Sequence, residues 1–460
     1  MIRRKGQLSI VFVSFLCALC ALSFLTVGVR AQERSVARNV LQQSSTSTNV
    51  AYLIRNARIF TLAGPVIENG SILIRGGKIE AVGTSVSAAG GAQEIDGTGL
   101  MVYPGMIDAG TSLGLSEIEL GALGGVDTTE VGELNPNASA FNAINSHSAH
   151  VNVTRVNGIT SVVTLPLGGL ISGQAALINL DGSTVPEMAV LRSAALVINF
   201  PRAATDDGGG GFFAPPTEVP ITEAISTRDK QVERLRKMLR DAEAYARAQD
   251  AYERDKSLPR PNQSVVLASL VQYVRGERPV IFRADRESEI RAAIRFADEM
   301  RLRPIILGGS EAWKAAALLK ERNVPVIVTS VRNLPPLEDD YYDVLYANPA
   351  KLKEAGVRFC ISSGDAGPEV RDLPYHAGMA AAFGLSREEA LKAVTIYPAQ
   401  IMGVGDRLGT IEVGKVANLS ITDGDLLDAR THIRYLFING RQLPLTSRHT
   451  ELYEQFKDRK

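Results

Sequence analysis

Residues that form cross-links or bind soft metals are scarce in this chain. Its 460 residues include three cysteines, five histidines and one tryptophan. Cys17 and Cys20 fall in an apolar N-terminal run, which leaves Cys360 alone in the rest of the sequence. A single cysteine excludes an internal disulfide in that part of the chain, and it also excludes a metal site built from cysteines.

Net charge is missing as well. Lysine plus arginine and aspartate plus glutamate each total 50, so the formal net charge is zero. Proteins that bind nucleic acid usually carry a basic excess, and this chain has none. With 45% hydrophobic and 22% charged residues the composition is globular. We therefore expect a small molecule, and no nucleic acid, as the ligand.

Neither a phosphate-binding loop nor a serine catalytic triad can be assigned from the sequence. The glycine run Gly208–Gly211 is not followed by Gly-Lys-Ser/Thr, so it indicates a flexible hinge and not a phosphate-binding loop. The Gly-x-Ser-x-Gly spacing of a nucleophile elbow occurs at 110–114 (GTSLG), but no His–Asp partner can be assigned to Ser112. Ser172 lies between glycines in GGLISGQ, but no His–Asp partner can be assigned to it. Unusual backbone angles explain these glycines more simply than a catalytic serine.

The first 31 residues have the pattern of an export signal. Three basic residues at 3–5 precede an uncharged apolar run at 6–29, and Ala31 ends a pattern typical of a cleavage site. Residues 32–50 are polar and predict a linker. The sequence thus predicts a periplasmic or secreted protein. The alternative is a membrane anchor, because the run at 6–29 is long enough to span a bilayer.

Short β-type runs separated by turn signals fill the two flanks of the remaining chain, at 51–103 and 405–445. Asn69-Gly70 and Gly76-Gly77 predict hairpin turns in the first flank. These two regions are expected to be small β-units without helical crossovers.

The middle of the chain, 104–404, has a different pattern. Apolar β-branched runs alternate with helical stretches, which predicts a parallel sheet with helical crossovers. The span suits an α/β fold of the (β/α)₈ TIM-like barrel type, whose functional sites lie at the carboxyl ends of the strands. A charged helical insert is expected at about 220–262, solvated over one rim, and a C-terminal tail at 446–460.

The segment VYPGMIDAGTSLGL, at 102–115, resembles the start of the barrel in the amidohydrolase superfamily, which usually reads Pro-Gly-(Leu/Met)-Ile-Asp-x-His-x-His. EEALKAVTIYPAQIMGVGDRLGTIEVGKVANL resembles the closing helix and strand of that family. VTRVNGITSVVT and GGLISGQAALINLDG resemble the imidazolonepropionase-like exported hydrolases. The resemblance covers 51–445 and implies that both flanks join in one composite β-sandwich beside the barrel.

The resemblance also implies a chemistry, the metal-assisted hydrolysis of non-peptide C–N bonds in linear or cyclic amides. A divalent ion such as zinc lowers the pKa of a bound water and polarises the scissile carbonyl. The family holds its metal with histidines at the strand ends and with an aspartate after the last strand. Asp365, in FCISSGDAG, matches that aspartate and is the catalytic candidate.

The four positions that match the histidines are substituted. They hold Gly110, Ser112, Arg283 and Gly308. Glycine offers no side-chain ligand, a neutral serine hydroxyl is a poor one, and arginine stays protonated and repels a cation. The sequence therefore predicts no metal cofactor at these positions, although the family would use zinc or another divalent ion, and it predicts that the four residues line a pocket.

Other residues offer alternatives. His147 and His150, spaced i and i+3, would share a helix face and provide two metal ligands, although a solvated or packing pair is the more ordinary interpretation. His376 is expected at the pocket rim. Trp313 and the tyrosines of DDYYDVLY could stack on a ligand, although packing in the core or at the rim is the more ordinary interpretation. An acidic segment indicates a polar rim loop or a pocket for a cationic substrate; its members are Glu117, Glu119, Asp127, Glu130 and Glu133.

Two hypotheses follow. In the first, the protein hydrolyses its substrate with Asp365 and a relocated or weak metal site. In the second, it is a non-catalytic binding or partner subunit, in a homo-oligomer or in a hetero-oligomer with an amidohydrolase paralogue. The loss of the metal also predicts an Arg283–Asp365 salt bridge, direct or through one intermediate, whose two groups can form two parallel hydrogen bonds. If the pair is well buried, removal of the arginine alone should be strongly destabilising.

Overall fold

A computed structural model describes residues 50–87, 90–118, 125–206, 217–329 and 331–459. The predicted signal segment at 1–31, nearly all of the linker, Glu119 and Gly208–Gly211 lie outside these residues. Within the described ranges, no helix is both long and apolar enough to cross a membrane.

The described residues form two sheets. In chain order the strands are β1 (Tyr52–Ile59), β2 (Ile67–Arg75), β3 (Lys78–Gly83), β4 (Gln93–Asp96), β5 (Met101–Pro104), β6 (Met106–Thr111), β7 (Ile159–Thr164), β8 (Ile171–Asn179), β9 (Ala189–Asn199), β10 (Val280–Ala284), β11 (Pro304–Gly308), β12 (Val326–Val328), β13 (Phe359–Ile361), β14 (Leu419–Thr422), β15 (Ile433–Ile438) and β16 (Arg441–Leu443).

Helices connect or cover most of these strands. They are α1 (Ala140–Ala143), α2 (Ala149–Arg155), α3 (Val185–Met188), α4 (Ile221–Arg254), α5 (Val265–Val274), α6 (Glu287–Glu299), α7 (Ala316–Glu321), α8 (Asn348–Ala355), α9 (Leu373–Ala382), α10 (Arg387–Ala393), α11 (Ile396–Ile401) and α12 (Arg448–Phe456), with 3₁₀ turns at Ala312–Ala315 and Gly367–Asp372.

The first sheet joins the two flanks of the chain. Its order is β16-β15-β14-β5-β1-β2-β3, with β4 beside β1. The junction is the antiparallel pair β14–β5, in which Leu419 lies opposite Pro104 and Ile421 opposite Val102. Ile421 and Val102 are fully buried in the core of this sheet. The predicted composite β-unit is therefore confirmed.

Of the two predicted hairpin turns, one is present and one is not. Gly76 and Gly77 join β2 to β3 with φ angles of +58° and +81°, which glycine adopts readily. Asn69-Gly70 instead lies inside β2, so its prediction as a turn was wrong. A Cβ on Gly70 would lie 2.4 Å from Ile59 Cδ1, so close packing against β1 explains this glycine.

The second sheet is a nearly closed barrel of eight strands, in the order β13-β12-β11-β10-β9-β8-β7-β6. This confirms the predicted TIM-like barrel with one correction, since β8 runs antiparallel to both β7 and β9. The reason is the chain between β7 and β9, which contains only short connections and the four-residue α3. A parallel neighbour needs a longer crossover.

The insert is less solvated than its charge predicts. Helix α4 has 34 residues, and Leu235, Leu239, Ala242 and Ala246 are buried along one side. The spacing of four, three and four residues is that of a single helical face. Leu235 and Leu239 belong to the main core, which packs helices against the outside of the barrel. The insert therefore contributes to the core as well as to a rim.

Candidate functional site

Arg283 lies near the carboxyl end of β10 and faces the inside of the barrel. Two residues earlier on the same strand, Ile281 packs in the barrel interior, whereas Phe282 packs outward against the helices. The alternation of strand side chains places Arg283 on the inner face with Ile281. The mouth of the barrel thus contains a fixed positive charge where the family resemblance expects a histidine.

The salt bridge between Arg283 and Asp365 is present. Arg283 Nη1 lies 2.8 Å from Asp365 Oδ1 and 2.7 Å from Oδ2. It differs from the expected pair in two respects. One nitrogen holds both oxygens, so the two groups do not form parallel hydrogen bonds, and the Asp365 side chain is 48% exposed whereas that of Arg283 is 20% exposed. The pair is therefore half-open to solvent.

The remaining nitrogens of Arg283 are less well satisfied. Nε and Nη2 are buried, and neither has a hydrogen-bond partner among the described residues. A buried donor without a partner costs about 1–3 kcal/mol relative to one that is satisfied. Arg283 is consequently not in an arrangement selected for stability alone.

The position of Gly110 has no space for a larger side chain, and Ser112 offers no free atom as a metal ligand. A Cβ on Gly110 would lie 2.8 Å from Leu307 Cδ1 and 3.3 Å from Ser362 Oγ, so a histidine there would collide with the barrel interior. Ser112 donates from both its backbone N–H (3.0 Å) and its hydroxyl (2.5 Å) to the carbonyl oxygen of Asp365. Both residues serve packing and closure of the barrel.

The Asp285 carboxylate occupies the space beside Gly308. The backbone of Gly308 has a φ of +106°, and a Cβ added there would lie 2.6 Å from Asp285 Oδ1. The Asp285 carboxylate thus fills the space in which a histidine side chain would begin. Asp285 Oδ1 accepts a hydrogen bond from the Ser310 N–H at 3.3 Å. Its side chain is reached from the cavity, yet surrounding protein raises its pKa by desolvation.

Asp108 closes the barrel where β6 meets β13. It is fully buried, and it accepts hydrogen bonds from the Gly110 N–H (3.1 Å), the Ser363 N–H (3.0 Å) and the Ser363 hydroxyl (2.5 Å). The Ser362 hydroxyl also contacts it. Burial raises the pKa of Asp108, and these donors oppose the shift. This network fixes the loop that carries Asp365.

A cavity of about 770 Å³ opens at this end of the barrel. Its wall contains charged groups of both signs, among them Arg202, Arg283, Asp285, Arg286 and Glu289. Asn199 also lines it, and its amide donates to the carbonyl oxygens of Gly168 (3.1 Å) and Gly169 (2.6 Å). The cavity is large enough for a small metabolite.

The histidines do not converge on this cavity. His147 is exposed on the surface, and His150 Nε2 lies 2.9 Å from the carbonyl oxygen of Glu117. His376 is buried in α9, where its Nδ1 has no partner among the described residues. Burial and the nearby Arg332 lower the pKa of His376 to about 4, so its ring is neutral at physiological pH.

The acidic segment after β6 is dispersed. Glu117 accepts a hydrogen bond from Asn145 at 3.1 Å, whereas Glu133 pairs with Arg234 of α4 and lines the cavity. Asp127 and Glu130 line a separate small depression. The structure thus gives these carboxylates different surroundings and does not gather them into one acidic pocket.

Ser172 and the aromatic candidates have structural contacts. The Ser172 hydroxyl donates to the Gly168 carbonyl at 2.7 Å and accepts from Asn199, which orders the loop before β8. Tyr342 and Tyr346 pack against Phe383, with ring centroids 6.3 and 4.9 Å away. These contacts favour roles in packing.

The donor atoms at the mouth of the barrel do not fit a catalytic zinc ion. Such an ion takes three protein ligands, and the described part of the chain contains no group of three His, Cys, Asp or Glu side chains arranged to bind a metal. At the positions suggested by the resemblance, only Asp365 offers a ligand, and a guanidinium already holds both of its oxygens.

Comparison with known proteins agrees with this architecture. The model of the Amidohydrolase family matches residues 293–443. A structure of an amidohydrolase from Thermotoga maritima aligns with a TM-score of 0.75 at 24% identity, over 85% of this chain and 99% of that one. The chain thus has the fold of this amidohydrolase, and about a third of its length matches the model of the Amidohydrolase family. A structure of molinate hydrolase shares the fold, with a TM-score of 0.52 at 15% identity over 86% of this chain and 95% of that one.

The chain is also similar to the imidazolonepropionase of Syntrophobacter fumaroxidans. The two are 35% identical over 83 residues, which is 17% of this chain. The match spans 19% of the length of that relative. Proteins of the amidohydrolase family generally use a divalent metal, whereas the described residues of this chain contain no group of three His, Cys, Asp or Glu side chains that could hold one.

The sequence identified some of the residues at the mouth of the barrel and missed others. It placed Arg283, Asp365 and Gly308 together. Asp285 was missed, although it directly follows the last residue of β10 and lies two positions after Arg283. Arg202 and Glu289 carry no comparable signal, since one follows β9 in a loop and the other lies in the first turn of α6.

Proposed function

We propose that this protein is a non-catalytic member of the amidohydrolase superfamily that binds a small polar molecule in the 770 Å³ cavity. The observation that carries the proposal is Arg283, whose Nη1 contacts both oxygens of the one remaining metal-binding carboxylate. A permanent cation there neutralises Asp365 without a metal. The proposal also draws on Gly110 and Gly308, where neighbouring side chains fill the space of two ligands.

The electrostatics of the site favour binding over hydrolysis. Metal-assisted hydrolysis needs a Lewis acid that lowers the pKa of water, and a carboxylate that takes the proton. A guanidinium remains protonated and supplies no coordination site. Because Arg283 Nη1 contacts both oxygens of Asp365, these oxygens are positioned to bind and orient a ligand.

The test is an amide-hydrolysis assay on the purified chain with added zinc, manganese or cobalt, using linear N-acyl amino acids and cyclic amides. We expect turnover no greater than that of the Asp365→Asn variant under every metal condition. Metal-dependent turnover that disappears in Asp365→Asn would overturn the proposal. Asp339→Asn is the matched control, since Asp339 is exposed and does not line the cavity.

We further propose that the protein is exported, because three basic residues precede the uncharged apolar run at 6–29. Expression of the full chain should give a mature protein that begins at Gln32. An N-terminus at Met1 in a membrane fraction would support the anchored alternative instead.

A further inference from the structure

Unpaired charges of both signs line the cavity at the mouth of the barrel. Within the residues that the structure describes, Asp285 and Glu289 form no ion pair with a lysine or arginine, and Arg202 and Arg286 form none with a carboxylate. All four line the same cavity. The wall therefore presents two separate kinds of binding group, one for a cation and one for an anion.

Charges just outside the cavity behave differently. On α6, Glu287 pairs with Arg291 at 2.8 Å, and nearby Glu311 pairs with Lys314 at 2.8 Å. Unpaired charges are thus not a general feature of this region. The unpaired charges of Asp285, Arg286 and Glu289 lie at the start of α6 and face the cavity. A charged ligand bound there would pair with them.

Asp285 is the stronger of the two anionic groups. Asp285 is exposed to the cavity, although desolvation by neighbouring protein raises its pKa, and the N–H donor from Ser310 offsets this only in part. A carboxylate in such surroundings gains more from a cationic partner than a fully solvated one does. Glu289 accepts from the backbone N–H groups of Asp285 and Arg286, which holds a second negative charge beside the first.

Of the arginines in the cavity wall, Arg202 has the fewest interactions with other charged groups. The charge of Arg283 is balanced by Asp365, and Arg286 helps to lower the pKa of Glu311. Arg202 is exposed in the loop after β9 and makes no ion pair within the described ranges. An arginine at such a site binds a carboxylate or a phosphate through its planar set of donors.

We propose that the cavity binds a small zwitterion, with the ammonium group of the ligand at Asp285 and Glu289 and its anionic group at Arg202. This inference rests on the proposed function, because it requires the cavity to act as a binding site. It adds the chemical class of the ligand, and it assigns a role to Asp285, which occupies the space of a lost metal ligand. The cavity, at about 770 Å³, has room for a zwitterion with several bound waters.

Isothermal titration calorimetry of the full chain with ω-amino acids tests this inference. The probes are β-alanine, γ-aminobutyrate and ε-aminocaproate, which separate the two charges by increasing distances. Hexanoate and hexylamine each lack one charge. We expect at least one zwitterion to bind at least about tenfold more tightly than both single-charge compounds. No binding of any zwitterion at millimolar concentration overturns the inference, as does equal affinity for hexanoate or hexylamine.

Two variants locate the charges. Asp285→Asn keeps an oxygen acceptor for the Ser310 N–H, and Arg202→Gln removes the opposite charge. Each should weaken the zwitterion about tenfold or more and leave the compound that lacks the matching charge unchanged. The controls are Asp339→Asn and Arg295→Gln, both exposed and outside the cavity wall. Unchanged affinity in Asp285→Asn contradicts the inference.

The two proposals fail in distinguishable ways. Metal-dependent turnover would overturn the non-catalytic function while leaving the calorimetric comparison of zwitterion and single-charge probes valid. Tighter binding of hexanoate than of the zwitterions would overturn the ligand class while leaving a metal-free binding protein.

Discussion

Arg283 and Asp365 define a pair whose energetic contribution can be bounded from its exposure. Asp365 is half-exposed and a single nitrogen of Arg283 contacts it, so solvent screens the attraction. In addition, Arg283 has two buried nitrogens without partners in the described structure. The strong penalty expected from a buried pair is therefore not supported by the geometry.

We predict a coupling energy of about 1 kcal/mol or less between these two residues. Urea unfolding of Arg283→Met, Asp365→Asn and the double variant measures it as a double-mutant cycle. Arg283→Met is expected to cost little, because it removes two unsatisfied donors. A coupling energy of several kcal/mol would mean that the pair is more buried than the structure indicates.

Asp108 should matter more for stability than either member of that pair. Every group that contacts its carboxylate is a hydrogen-bond donor. In Asp108→Asn the amide nitrogen would meet donors in a fully buried space, at a cost of about 3 kcal/mol. Thermal and urea unfolding should show this loss, whereas exposed Asp339→Asn should change stability very little. Equal stability of both variants would contradict a role for Asp108 in closing the barrel.

The sequence predicted only some of the individual residues at the mouth of the barrel. Strand ends and the family resemblance located Arg283, Gly308 and Asp365. The role of Asp285 depends on its contact with Gly308 across two strands, a spatial relation that spacing along the chain does not reveal. Likewise, the half-open state of Asp365 depends on the loops around it and not on its own sequence.

Among the elements, α9 contains a buried group that senses pH. His376 is 5% exposed, and burial together with Arg332 lowers its pKa to about 4 from 6.5, while Asp372 opposes the shift. Arg332 and Asp372 are paired at 3.0 Å. In the unfolded chain the imidazole takes up a proton near its ordinary pKa, whereas in the folded chain it resists protonation until about pH 4.

The sign of the effect follows from that lowered pKa. His376 contributes stability that is fully present above about pH 6.5 and is lost as the pH falls toward 4. Between pH 7.5 and pH 5 the loss should be about 2 kcal/mol. Urea unfolding of wild type and His376→Leu at the two pH values measures it. A wild-type loss equal to that of the variant would contradict the assignment.

The elements themselves were predicted to different degrees. Apolar β-branched runs identified the barrel strands, but they do not encode direction, so antiparallel β8 was not predicted. Its direction follows from the short connections on either side. The buried face of α4 was present in the spacing of Leu235, Leu239 and Ala242, but the surrounding charges indicated a solvated insert.

Considering the whole molecule, the composite β-unit and the barrel were predictable because the two flanks and the middle differ in hydrophobic pattern. Pairing of β5 with β14 joins segments more than 300 residues apart, and only the family resemblance indicated it. Function was harder to predict, because a fold supports many activities and the site decides among them. At the positions that the resemblance implies for metal ligands, the chain has Asp365, Arg283 and the two closely packed glycines Gly110 and Gly308.

The measurement that tests this account most directly is the zinc content of the purified full chain. The protein is equilibrated with zinc, treated with a mild chelator, desalted and analysed for metal. Because Arg283 holds Asp365 and the other positions offer no strong ligand, we predict far less than one equivalent of zinc, with no difference between wild type and Asp365→Ala. About one equivalent that survives the chelator and is lost in Asp365→Ala would contradict the account.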